Sequence, residues 1–169
     1  IKIGATAPSG SNSQMWTFTI IPDRESVAAL GGQVALFFKK LNKLAQRGWL
    51  RHIMRLVGKP ELDRYYRDYH QRISEILAEW DQGGRDFLFH GATAAIIVGS
   101  GPGGSTPTED ALLATQNMLL AAHGMGLGTC LIGFAVAAAR DIRLRRFLGM
   151  PDDERVHAVI ALGYPDESY

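Results

Sequence analysis

Residues Ala111 to His123 read ALLATQNMLLAAH, a helix-forming run without one charged side chain. A helix that is apolar on most of its faces has to be covered on most of them. In a chain of 169 residues that leaves few solutions. The segment must pack against a sheet or other helices of its own chain, and its remaining face points to the core of a dimer. The residues before it fix where it begins. Thr108 is read as the capping hydroxyl, and Glu109 and Asp110 place acids in the first turn, where the helix dipole favours them. Gly124 and Gly126 end it.

The rest of the chain alternates strands and helices around this element. Trp16 to Ile21 is rich in aromatic and β-branched residues and stops at Pro22-Asp23, which predicts a strand. A helix is expected from about Glu25, with Gly31-Gly32 as its weak point, and a second over Val34 to Val57, broken at Gly48 and ended by Pro60. Glu61 to Trp80 is the clearest amphipathic helix. Leu62, Tyr65, Tyr69, Ile73, Ile76, Leu77 and Trp80 fall on one face, and Gly83-Gly84 closes it. Ala92 to Val98 is expected as a buried strand and Gly99 to Pro107 as a loop. Thr129 to Ile132 is expected as an extended segment, Arg140 to Leu148 as a short basic helix, and Val156 to Leu162 as a final strand. The order predicts an α+β domain, helices packed on a small central mixed sheet, in one unit over residues 1–169.

Composition excludes several classes of function. The net charge of +1 argues against binding nucleic acid through bulk charge. Cys130 is the only cysteine, so the chain forms no internal disulfide and no thiolate metal site. It is read as a packing residue, and the composition fits a reducing, cytoplasmic setting. No apolar run reaches the roughly 20 residues of a membrane span. The five histidines, His52, His70, His90, His123 and His157, lack ligand spacing, and no G-x-S-x-G elbow is present. Neither a metal site nor a catalytic side chain is therefore expected.

Three features remain as candidates. Lys39, Lys43, Arg47, Arg51, Arg55 and Lys59 recur every fourth residue in a stretch without acids. This is either a solvated helix face or a docking surface for an acidic electron-donor protein or an anionic membrane. Gly99-Ser100-Gly101-Pro102-Gly103-Gly104 formally matches the dinucleotide fingerprint G-x-G-x-x-G. Pro102 removes a phosphate-binding N–H, the helix starts late, and no acid follows between Ala111 and Arg140. A flexible connector fits better, with a dinucleotide-binding module as the alternative. The third feature is Ala5 to Trp16, ATAPSGSNSQMW, where Ser9, Gly10, Ser11, Asn12, Ser13 and Gln14 precede the first strand. It reads as a turn, or as a site offering many neutral hydrogen-bond partners to a small planar ligand.

The third feature carries a family resemblance. Ala7-Pro8-Ser9-Gly10-Ser11-Asn12-Ser13-Gln14-Met15-Trp16 resembles the A-P-S-G-x-N-x-Q-P-W of the nitroreductase family, with Met15 in place of proline. Glu109-Asp110, Gln116-Asn117, Leu120-Ala121-Ala122 and Gly126 to Gly133 resemble its second motif, and Ala161-Leu162-Gly163-Tyr164-Pro165 its close. Arg85-Asp86 to Ala95 resembles the branch that follows a ferredoxin-like iron–sulfur domain.

The resemblance implies an intertwined homodimer with two FMN molecules in the interface, each touched by both chains. Ser9, Gly10 and Asn12 would meet the pyrimidine edge of the flavin, and Pro8 would pack on the ring. The backbone of Ile132 and Gly133 would sit near N5. The implied activity is an FMN-dependent oxidoreductase. Electrons would pass from NAD(P)H or a reduced iron–sulfur protein to a small aromatic acceptor such as a nitroaromatic or quinone. A flavin-binding protein of the same fold without turnover is the alternative. The helices within Val34 to Trp80 would form the lid. The family's phosphate-holding elements, R-x-S-x-R before the opening loop and a basic residue after the closing G-Y-P, do not lie in this sequence. Native segments are therefore expected beyond both ends.

Overall fold

The computed structural model describes residues 1–165; residues 166–169 lie outside the described part. Four strands, β1 (Trp16–Ile21), β2 (Ala94–Ser100), β3 (Gly128–Leu131) and β4 (Arg155–Gly163), form one sheet in the order β1-β2-β4-β3. All described pairings are antiparallel, so the expected small sheet is present but is not mixed within these residues. The central strands β2 and β4 are covered on both faces. Ala95, Ile97, Val159 and Ala161 point into one core, and Val98, Ala158 and Ile160 into another. That double burial explains the unbroken apolar runs AAIIV and AVIAL. The outer strands are only partly covered, and β1 alternates with Thr17 and Thr19.

The larger core packs the sheet under α1 (Arg24–Ala45), α4 (His70–Asp81), α6 (Gly133–Ala138) and α7 (Ile142–Phe147). Asp23 caps α1, its Oδ1 accepting from the Ser26 amide at 2.8 Å. Contrary to the expectation at Gly31-Gly32, α1 runs unbroken through both glycines. Gly31 is small because Trp80 of α4 lies on it; a Cβ there would come 2.5 Å from Trp80 Cη2. The expected single helix over Glu61 to Trp80 is two helices, α3 (Glu61–Asp68) and α4, separated at Tyr69. Across the break, Tyr65 donates to Asn42 Oδ1 at 2.5 Å, and Asn42 Nδ2 donates to Ser74 Oγ at 3.0 Å. The buried Asn42 of α1 thus ties the two pieces together.

The basic stripe is interrupted between α1 and α2 (Gly48–Leu56), and two of its members are engaged within the chain. Lys39 pairs with Asp81 at 2.5 Å, and Arg51 lies 3.7 Å over the Tyr66 ring and 3.5 Å from Asp63. Asp86, in the segment resembling the iron–sulfur-linked branch, holds a turn through the amides of Leu88, Phe89 and Gly91.

The charge-poor helix is α5 (Pro107–Gly124), covering the opposite face of the sheet with Ala111 and Met118. It starts at Pro107 after Thr106, two residues before the expected cap at Thr108; proline suits the first turn, where its missing N–H is no loss. Leu112, Leu113 and Leu120 are exposed, so its own chain covers only one side of it. Cys130 is exposed on β3 instead of packed, and α6 lies where no helix was expected.

The tight approach of Trp80 to α1 predicts opposite outcomes for adjacent glycines. Gly31→Ala should destabilise the protein by about 1–3 kcal/mol through overpacking. Gly32→Ala, with open space around it, should stabilise it by roughly 0.5–1 kcal/mol through helix propensity. Urea denaturation of both variants measures this.

Candidate functional site

The loop ahead of β1 has an unusual backbone. Ser11 (φ 53°), Asn12 (φ 53°) and Gln14 (φ 51°) all occupy the left-handed region. Side chains bearing a Cβ seldom go there, and such strain persists only where surrounding contacts impose it. Those contacts come from α5. The buried Asp110 carboxylate accepts from the Gly10 amide through Oδ1 at 2.9 Å, from Thr106 Oγ1 at 2.9 Å, and from Ser13 Oγ through Oδ2 at 3.3 Å. Gly10 must be glycine, because a Cβ would collide with the hydroxyls of Ser105 and Thr106. The Gly10 N–H holds the Asp110 carboxyl below its ordinary value of 3.8. Desolvation opposes this, and the Thr106 and Ser13 hydroxyls reinforce it.

These bonds decide what the loop can offer a ligand. The Gly10 amide is spent on Asp110 and is a loop anchor rather than the ligand donor expected of it. Ser9 Oγ accepts from the Gln14 amide at 3.1 Å and keeps its own O–H to donate. Asn12 is exposed. Its Oδ1 accepts from Gln14 Nε2 at 3.1 Å and retains a second lone pair, while its Nδ2 carries two N–H donors. Pro8 is exposed beside them. A neutral edge that presents acceptors flanking an N–H fits this set.

The second candidate group lies elsewhere. Ile132 is buried, and its amide donates to the Val159 carbonyl at 2.8 Å, so it has no N–H to give a ligand. Gly133 is exposed and is the first residue of α6, where backbone N–H groups have no intrahelical acceptor. A shallow cleft of about 220 Å³ opens there, lined by Phe87, His90, Leu131, Gly133 and Phe134. Sequence reasoning passed over the two phenylalanines.

Loop and cleft belong to opposite edges of the sheet, since the loop feeds β1 and Ile132 follows β3. Three inter-strand steps separate those edges, roughly 14 Å at the usual spacing. Gly99 and Ser100, the start of the glycine-rich run, lie inside β2 and not in a loop. A Cβ at Gly99 would come 2.6 Å from Glu154 Oε1 and 2.7 Å from Thr17 Oγ1, so this glycine is small for strand packing. Among the described residues, no group of three His, Cys, Asp or Glu side chains could hold a metal.

A carboxyl whose folded-state pKa is depressed stabilises the fold fully above its unfolded value, here 3.8, and loses that contribution as pH falls through the lower folded value. Asp110→Asn should therefore lower the melting temperature at neutral pH. It should also flatten the loss of stability below pH 3.8. Thermal melts across the acid range read both effects.

The family model for the nitroreductase family matches residues 1–164. An Archaeoglobus fulgidus protein, provisionally named NADH dehydrogenase/NAD(P)H nitroreductase, is 26% identical over 167 residues, covering 99% of this chain and 71% of that one. The iodotyrosine deiodinase of Thermotoga neapolitana is 24% identical over 167 residues, covering 99% and 75%. Among solved structures, a Desulfitobacterium hafniense nitroreductase with bound FMN superposes with a TM-score of 0.64. It is 23% identical and covers 99% of this chain and 76% of that one. The fold is thus shared with these structures, and the chain belongs to the nitroreductase family.

Proposed function

We propose that this protein is an FMN-dependent oxidoreductase that works as a homodimer, each flavin held between the opening loop of one copy and α6 of the other. The observation that carries the reading is the strained loop. Ser11, Asn12 and Gln14 are held left-handed, and the loop leaves Ser9 and Asn12 to offer both donors and acceptors. That pattern suits the O2, N3–H and O4 edge of an isoalloxazine. The Gly133 N–H at the far edge of the sheet would serve the N5 end.

A site built from groups at opposite sheet edges is reached most simply in trans. The leucines that α5 leaves exposed, Leu112, Leu113 and Leu120, supply an apolar face for the second copy. When bound, FMN would supply the redox chemistry between an oxidised aromatic acceptor and either a reduced nicotinamide, which gives two electrons as a hydride, or a reduced iron–sulfur protein, which gives them one at a time. The chain's own work is to bind and orient. Ser9 and Asn12 fix the ring edge, Pro8 offers an apolar surface beside it, and Gly133 directs a hydrogen bond at N5. Phe87 and Phe134 flank the Gly133 cleft and would exclude water from one side of the reaction plane. No side-chain acid or base is required. The relatives' names support NAD(P)H as donor and a nitro compound as acceptor. No helix of the described residues is long and apolar enough to cross a membrane.

The test is spectral and kinetic. Purified with its native termini, the protein should carry flavin absorbance that bleaches with NAD(P)H and recovers with a nitroaromatic. Asn12→Ala should lower the flavin content at least about tenfold in affinity, a loss worth roughly 1.4 kcal/mol. Flavin that binds but never turns over with any donor would leave a flavin-binding protein of the same fold. No flavin even with added FMN would overturn the reading.

A further inference from the structure

Away from the loop and the Gly133 cleft, a second concavity of about 380 Å³ opens between α6, α7 and the start of β4. Arg140, Arg145, Arg155 and His157 line it, and Val136, Ala139 and Val156 form an apolar wall. Among the described residues, none of these three arginines has a carboxylate within the 4.0 Å of an ion pair. Glu154 also lines the cleft, its Oε1 accepting from Thr17 Oγ1 at 2.5 Å, so the lining sets three guanidiniums against one carboxylate; Asp141 caps α7 through the Arg143 amide. Asp152 and Asp153 line an adjoining cleft beside Ser100 to Gly104, which shares Glu154 and Arg155 with this one. Arg145 donates one N–H to the Pro151 carbonyl, which fixes the guanidinium and leaves the rest of its fork unspent.

His157 reports the field inside this cleft. It is the extra residue of a β-bulge, because Val98 pairs with Ala158 while Gly99 pairs with Val156. Its Nε2 lies 2.7 Å from the buried Ser100 Oγ. Burial lowers its pKa first and the positive charge of Arg155 next, against a smaller upward pull from Glu109 of α5.

We propose that this cleft binds a phosphate-bearing small molecule, at a site separate from the flavin. Three guanidiniums lining one cleft exceed what its single carboxylate, Glu154, balances, and they suit an anion that accepts several forked hydrogen bonds. The volume is more than a bare phosphate fills and lies in the range of small-molecule pockets. The apolar wall therefore takes the organic part, of about the size of a ribose. The proposal does not depend on the flavin reading.

The experiment follows His157 by NMR in the full chain, with and without added FMN, assigned through His157→Gln. Inorganic phosphate, AMP and adenosine are titrated at constant ionic strength, which removes general screening. A bound dianion offsets Arg155 and favours the imidazolium, so phosphate and AMP should raise the His157 midpoint saturably. Adenosine should not. AMP should bind at least about tenfold more tightly than phosphate through the apolar wall. Arg140→Ala, an exposed position, and Arg140→Ala with Arg145→Ala should each weaken the response without changing flavin content. Three results would overturn the proposal: a His157 midpoint indifferent to phosphate and AMP, a response unchanged in both variants, or loss of flavin from them. The last would assign the arginines to the flavin phosphate.

Discussion

The Asp110 carboxylate is the contact on which the candidate site depends. It stands in the first turn of α5 and gathers the Gly10 amide and the Ser13 and Thr106 hydroxyls. Left-handed backbone at a non-glycine residue costs on the order of 1 kcal/mol or more, and this loop carries it at Ser11, Asn12 and Gln14. Without an external clamp such a loop would relax. The clamp sits on a helix whose buried face, with Ala111 and Met118, packs on the sheet, so the loop inherits the rigidity of the core. That is how a segment of small polar side chains acquires a fixed pattern of donors and acceptors.

The sheet sets the remaining geometry. Because β2 and β4 pair with a neighbour on each side, their backbone groups are spent within the sheet, and its free edges are β1 and β3. The loop before β1 and the amide of Gly133 after β3 therefore face different sides of the subunit. In the proposed dimer a second copy would resolve this separation, and the exposed leucines of α5 extend the same logic. The helix that is most apolar in sequence is the one its own chain leaves half uncovered. The arginine cleft lies apart from both, at the bulged start of β4.

Much of this was legible in the sequence, and what was missed has definable causes. The strands of the central sheet stood out because double burial leaves continuous apolar runs. The polar loop stood out because no core explains Ser9 to Gln14. Periodicity could not show the break at Tyr69, since Tyr65, Tyr69 and Ile73 keep helical spacing on either side of it. The contact that bridges the interruption comes from Asn42, far away in sequence. Gly31 looked like a weak point because the tryptophan that rests on it is 49 positions on. The Gly10 amide was misassigned for the same reason: its true acceptor, Asp110, is 100 residues distant. Asp110 itself was visible only as one of two acids at a helix start, and a buried acid there is a stronger signal than the dipole alone explains. Cys130 was read as buried because β3 resembles a core strand in composition, but β3 is an edge.

The central claim, that one flavin is held by the loop of one copy and α6 of the other, is tested most directly with mixed dimers. One chain would carry Asn12→Ala alone, with its Gly133 unchanged; the other would carry Gly133→Pro alone, with its Asn12 unchanged. Proline at the first position of α6 removes only the N–H, and no atom outside its neighbours crowds a Cβ there. In such a dimer one site combines both lesions and the other has none. The account predicts about half the flavin of the unmodified dimer, bound with unmodified affinity. A site built within one chain would be damaged in both copies, and uniformly weakened flavin with no intact half would contradict the account.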